Sequence, residues 1–358
     1  MRAIDDAIAW DALLARLDAD AAGVPSPHVL QSWAWGELKA RWGWSATRFT
    51  WGGPGAEWAA AQVLERRVGR SPLRVGYATK GPFVTGAGRT EREAWSIVLG
   101  DLEALARRRG LAVLKIDPDI GLDRSDISDL WRSRGWRRSD DQIQFPNTMR
   151  SPLPAADGAT YATIDAALAA AYRPKTRYNV RLAERRGVRV RLGGEDDIET
   201  FLALYAATAR RQGFAIRSGD YYRDAWRAFL RSGRAVVVLA ERDGRALAGA
   251  IPVRFGRTAW YLYGASADEG REDMAPHAVM HACQVWAAEQ GCRVFDWWGG
   301  PTDPSDESDP LAGVARFKEG FGAVLAPQLG AWDYSARPAV GLALRAAGRA
   351  RRGWLRLR

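Results

Sequence analysis

The chain has 358 residues, 47% hydrophobic and 26% charged, with no low-complexity tract; this excludes a disordered or fibrous protein, and the length suits two domains. The formal net charge of +10 is concentrated: residues 173–191 carry eight basic side chains against one acid, and residues 345–358 carry six arginines and no acid. No apolar run approaches the ~20 residues that span a bilayer, and the first 17 residues, with Asp5, Asp6 and Asp11, lack the basic start of a secretory signal. The expected location is therefore the cytoplasm, where Cys283 and Cys292 are poor disulfide candidates.

In chain order, an apolar strand is expected at 58–68 and a second near 73–78. A Gly-rich loop, a helix over 91–109 and a strand at 111–116 follow. Ser151-Pro-Leu-Pro154 with Asp157-Gly158 has the composition of a linker. The basic stretch 173–191 fits a helix with arginines on several faces. A helix over 198–211 is expected to turn Phe201, Leu202 and Tyr205 inward. Strands then follow at 246–255 and 258–265, a helix at 276–290 and a strand at 293–298. Val279, Cys283 and Trp286 give that helix one apolar face, Asp273 precedes its start and Gly291 follows its end. Each half thus reads strand, strand, helix, strand, an α/β unit with mixed pairing that occurs twice. His277, His281 and Cys283 are expected to be ordinary helix residues, because the spacing lacks the rest of a zinc-ligand pattern; no metal site is expected.

Lysine is scarce. Of 52 basic residues only Lys39, Lys80, Lys115, Lys175 and Lys318 are lysines. Arginine cannot lose its proton, whereas lysine is a compact charge whose pKa shifts readily, so the retained lysines are candidates for chemistry that arginine cannot do.

The ordered series Gln31-Ser-Trp-Ala-Trp-Gly-Glu-Leu-Lys39, Thr79-Lys-Gly-Pro82, Lys115-Ile-Asp-Pro118, Lys175-Thr-Arg-Tyr-Asn-Val-Arg181, Gly213-Phe214 with Arg217 and Tyr221, Tyr261-Leu-Tyr-Gly-Ala-Ser266, Phe295-Asp296 and Phe317-Lys-Glu-Gly-Phe-Gly322 resembles the FemABX family of peptidoglycan bridge-forming aminoacyltransferases. The resemblance implies an α/β (α+β) chain of two tandem GNAT-like domains with mixed sheets. Domain 1 would span 1–156 and be completed by 329–358, and domain 2 would span 157–328. No long heptad stretch occurs, so no coiled-coil arm is expected. The implied reaction moves an amino acid from aminoacyl-tRNA to an amine on the stem peptide of a peptidoglycan precursor, nucleotide- or lipid-linked. No cofactor is expected, and the chain is expected to act as a monomer.

An aminoacyl ester is already activated, so the enzyme need only position two substrates and stabilise the developing oxyanion. Lys318, framed by aromatics and glycines, is the candidate for that role, and the resemblance implies the same. Lys39, Arg217 and Tyr221 match positions that hold the precursor's phosphates and nucleotide in the family, and Lys80 joins this substrate-binding set. Tyr261 and Tyr263 alternate along a strand and are expected on one face, lining the cleft. Asp117, at a strand end, is a candidate general base, and Asp296 occupies the equivalent point in the second half. Lys175, Arg177, Arg181 and Arg185 are candidates for RNA phosphates. The 345–358 tail, with Leu342, Leu344, Trp354, Leu355 and Leu357 near or among its arginines, has the composition of a peripheral contact with the anionic inner membrane face.

Two other readings compete. An acyl-CoA-dependent transferase on the same fold needs a Gly-rich pyrophosphate loop opening a helix. Arg107-Arg-Arg-Gly-Leu-Ala112 has the letters but leaves a helix for a strand, and the second half offers Asp268, Glu269, Glu272 and Asp273 instead. A non-catalytic RNA- or membrane-binding protein on a degenerate transferase fold is the other.

Overall fold

The computed structural model describes residues 1–20, 26–86, 88–155, 158–343 and 346. The chain forms two compact units, one of residues 1–146 with the segment from 327 onward, the other of residues 147–326.

The first unit opens with β1 (Arg2–Ile4), α1 (Ala7–Asp20), α2 (Trp33–Arg41) and the long hairpin β2 (Ser45–Gly53) and β3 (Ala56–Arg67). It continues through β4 (Arg74–Ala78), β5 (Phe83–Val84), α3 (Glu91–Arg108), β6 (Leu111–Ile116), α4 (Ser125–Ser133) and β7 (Arg137–Arg138). The strand Trp332–Tyr334 returns from the far end of the chain and inserts between β6 and β7. β4 and β6 run parallel, joined by the α3 crossover. Thr90 and Glu93 form a capping box that starts α3 and satisfies two of its free N–H groups. The apolar run of β3 is buried, and Trp58, Ala61 and Val63 share a core with Trp95, Val98 and Leu102 of α3. Trp131 lies edge-on between Trp95 (5.2 Å) and Trp332 (5.3 Å), so the returning strand closes this core. Gln62, wholly buried, accepts from Arg48 Nε (2.8 Å) and donates to the Ser32 carbonyl (3.2 Å).

The second unit contains β8 (Asn147–Pro152), α5 (Tyr161–Ala171), α6 (Pro174–Arg185), β9 (Arg189–Gly193), α7 (Ile198–Gln212), α8 (Gly219–Arg231), β10 (Val237–Arg242), β11 (Arg245–Phe255), β12 (Thr258–Ser266), α9 (Ala275–Glu289), β13 (Val294–Gly299), α10 (Ala312–Gly320) and β14 (Val324–Pro327). Its sheet order is β14-β8-β13-β12-β11-β10-β9. β12 and β13 are parallel across the α9 crossover, as β4 and β6 are across α3. The repeated strand–helix–strand plan and the mixed pairing are both present.

Several local expectations need correction. Ser151-Pro152 is not linker: it ends β8, which pairs antiparallel with β13, so this sheet starts at Asn147 rather than after residue 156. Asp157 lies outside the described residues. The inward face of α7 is Ile198, Phe201, Leu204 and Thr208; Tyr205 also turns inward, packing against Phe201 and Trp226, whereas Leu202 is only half-buried. The basic stretch 173–191 is not one helix: Gly187 ends α6 at positive φ, and Arg189 and Arg191 stand on β9. Asp273 does not cap α9; its buried carboxylate pairs with Arg242. The arginines of the 345–358 tail lie outside the described residues, and no helix among the described residues is long and apolar enough to cross a membrane.

Candidate functional site

Four of the five lysines are buried: Lys39, Lys80, Lys115 and Lys318; only Lys175 is exposed. A buried ammonium must be paired or hydrogen-bonded, so each of the four reports a built environment.

In the second unit, Lys318 projects from α10 and is 4% exposed. Its Nζ donates to the carbonyl of Gly299 (2.6 Å) and to that of Trp298 (3.2 Å). That uses two of three N–H donors, and the third has no partner among the described residues. Burial lowers its pKa to about 8, and the nearby Asp296 charge opposes the fall. The two carbonyls sit where β13 ends in a strained turn, with Trp298 at φ 60°. Asp296 holds that turn. It accepts from the Trp298 N–H (2.9 Å), Arg150 Nε (2.9 Å) and the Thr148 hydroxyl. A carboxylate so fully used anchors the turn and is no free base. Phe317, Phe321, Trp297 and His277 form contiguous ring contacts beside Lys318. Gly320 allows the close approach of α10 to α6, since a Cβ there would lie 2.2 Å from Thr176 Oγ1.

Tyr261 and Tyr263 do not share a face. The β11–β12 register shifts between Ile251 and Pro252, which pair with Tyr263 and Tyr261, so Leu262 is an extra residue and the side-chain parity flips. Tyr261 packs toward Trp297 and the α9 core, its hydroxyl over the Gly264 backbone. Tyr263 points into the α7–α8 aromatic cluster of Tyr205, Tyr222 and Trp226. Tyr221 is buried at the start of α8, and the exposed Arg217 guanidinium lies over its ring at 4.7 Å. On α6, Lys175, Arg181 and Arg185 are exposed, whereas Arg177 Nη1 is tied to the Ala169 carbonyl (2.9 Å). His281 Nε2 pairs with Asp165 (2.8 Å) and its Nδ1 meets the Tyr172 hydroxyl (3.1 Å).

In the first unit, Lys39 lies against the rings of Trp35 (5.3 Å) and Trp44 (5.7 Å). Asp117 is 1% exposed and accepts from the Tyr77 hydroxyl (2.6 Å). Burial raises its carboxyl above the usual range, and Lys80 at 3.8 Å opposes that. Lys80, at φ 51°, also pairs with Asp119 (3.0 Å) and donates to Gln328 (3.1 Å). It lines a cavity of about 240 Å³ with His28, Trp95, Asp119 and Arg124. A second cavity, about 280 Å³, is lined by Trp44, Arg66, Tyr77, Lys115 and Asp333. Lys115 is locked there by Asp333 (2.8 Å) and Ser139. The Tyr77–Asp117 and Lys115–Ser139–Asp333 groupings were not legible in the sequence, since their members are 24 to 218 positions apart. Lysine scarcity pointed to Lys115 and the strand end to Asp117, but neither pointed to Tyr77, Ser139 or Asp333.

Residues 170–319 match the acetyltransferase (GNAT) domain family. The chain is 25% identical to the lipid II:glycine glycyltransferase of Staphylococcus aureus, over 88% of this chain and 90% of that protein. Among solved structures, FemX aligns with a TM-score of 0.81 at 23% identity, covering 96% of this chain and 99% of that one. A tandem GNAT protein from the clavulanic acid biosynthesis pathway aligns with a TM-score of 0.53 at 15% identity, covering 92% and 94%. Fold and relatives together mark a tandem GNAT-fold acyltransferase. Within that class, the chain is similar to the FemABX bridge-forming transferases, and its described residues contain no long helical arm.

Proposed function

We propose that this enzyme moves an amino acid from aminoacyl-tRNA to an amine on the stem peptide of a peptidoglycan precursor. The observation that carries the chemistry is the buried Lys318 ammonium, fixed by two carbonyls with one N–H left over. The substrate class follows from the S. aureus lipid II:glycine glycyltransferase, matched over nearly its whole length. The amine nitrogen attacks the ester carbonyl, and the oxyanion that forms is met by Lys318. Collapse breaks the ester C–O bond, leaves an amide, and returns the ribose oxygen with a proton. Asp117 is the candidate to take the amine's proton, because burial makes its carboxylate a stronger base than an exposed one. Lys39, Lys80, Arg217, Tyr221, Tyr261 and Tyr263 are the candidates for holding the acceptor, and the C-terminal arginines for a membrane contact. The exposed acids Asp268, Glu269 and Glu272, ahead of α9, disfavour a CoA pyrophosphate there, while Asp273 is buried against Arg242.

The test is transfer of radiolabelled amino acid from charged tRNA to lipid-linked and nucleotide-linked stem peptides, with acyl-CoA as a rival donor. Amide product from charged tRNA supports the reading. Product from acyl-CoA alone, or RNA binding without turnover, overturns it.

A further inference from the structure

The second unit holds a cavity of about 370 Å³ between α5, α6, β9 and α9 that shares no lining residue with the surroundings of Lys318. Its size falls within the range of small-ligand pockets. Three arginines line it. Arg177 and Arg181 are one turn apart on α6, and Arg189 enters from the edge strand β9. Arg181 and Arg189 are exposed and have no partner among the described residues, whereas many arginines elsewhere in this chain are paired with carboxylates. Two carboxylates face them: Glu184, and Asp165, whose Oδ1 is held by His281 Nε2 at 2.8 Å. Burial pushes the His281 pKa below its ordinary value, and the paired Asp165 carboxylate opposes that fall. Tyr161, 61% exposed, stands at the rim.

A bare polyphosphate or a flat anionic lipid surface would meet repulsion from both carboxylates. A ribonucleotide suits the whole set. Its phosphate takes the arginine forks, its base amino and 2′-hydroxyl groups donate to carboxylates, and its base presents a face to an aromatic ring. We infer that this pocket takes one nucleotide of a single-stranded RNA segment, its phosphate on Arg181 and Arg189. The inference rests on the RNA-donor reading above and gives it a location.

The experiment measures binding of a labelled single-stranded RNA 12-mer to the full chain across a salt series, for wild type and for Arg181→Ala combined with Arg189→Ala. Both side chains are exposed, so the melting temperature should not move. The double variant should bind about ten- to a hundredfold more weakly. The slope of log affinity against log salt should shrink by about 0.7 for each phosphate that is no longer neutralised. DNA of the same sequence should bind wild type more weakly than RNA does. In the transfer assay, KM for charged tRNA should rise by a similar factor while kcat holds. Unchanged RNA affinity and salt slope in the variant overturn the pocket. So does loss of binding to phosphatidylglycerol vesicles with RNA binding intact. If wild type transfers but the variant's KM is unchanged, the pocket fails and the transferase reading survives. If wild type binds RNA through these arginines yet transfers nothing, the reverse holds.

Discussion

Replacing Lys318 by Met tests the centre of the mechanism, and the structure sets the size of each effect. The fall of the lysine pKa from 10.5 to about 8 means that burying the charge costs about 3 kcal/mol of stability at neutral pH. The sign follows from the direction. The cost is fully present below about pH 8, where lysine is protonated in both folded and unfolded chains, and is relieved as pH rises toward 10.5. Methionine removes that cost but leaves the carbonyls of Trp298 and Gly299 without their donor, at about 1–3 kcal/mol each. The opposing terms are of similar size, so the melting temperature should move by only a few degrees. Turnover should not be spared. Losing one preorganised oxyanion donor lowers kcat by about 10² to 10³. In the wild type, kcat should fall as pH rises through about 8, where the ammonium loses its proton. The assay is initial rate at saturating charged tRNA and acceptor, beside a thermal melt. Turnover of Lys318→Met within threefold of wild type would refute the reasoning, whatever its stability.

Asp296→Ala removes the acceptor of the Trp298 N–H and the Arg150 guanidinium, so the turn that positions the Lys318 carbonyls should relax. It should cost about 2–4 kcal/mol in denaturant melts and depress kcat more than KM, with the pH midpoint displaced from that of the wild type. Asp117→Asn should lower kcat by about 10² or more if Asp117 takes the amine's proton, and added small carboxylates should restore part of the rate. An unchanged kcat would reassign Asp117 to holding Tyr77 and Lys80. Trp131→Ala should cost about 3–5 kcal/mol because the ring is wholly buried between Trp95 and Trp332. Trp131→Phe should cost far less, since the indole N–H there has no hydrogen-bond partner.

The periodic signals carried most of the architecture. The β3 and β11–β12 runs, the α3 and α9 helices with Gly110 and Gly291 just beyond them, and the repeated crossover follow from local hydrophobic spacing, which reads the same in a sequence as in a fold. Lysine scarcity singled out five candidates for chemistry that arginine cannot do, and the fold buries four of them. What the sequence could not decide are the properties created by pairing distant segments. One extra residue at Leu262 sends Tyr261 and Tyr263 to opposite faces, because strand parity depends on the partner's register. Ser151-Pro152 looks like linker yet forms part of a sheet, because β13 supplies its partner from more than 140 residues away. Three carboxylates, Asp117, Asp296 and Asp333, read alike in the sequence but differ in the fold through what each is given to bind: a tyrosine hydroxyl, a strained turn with an arginine, and a buried lysine. Burial and the third dimension assign those partners, and with them each group's charge and chemistry.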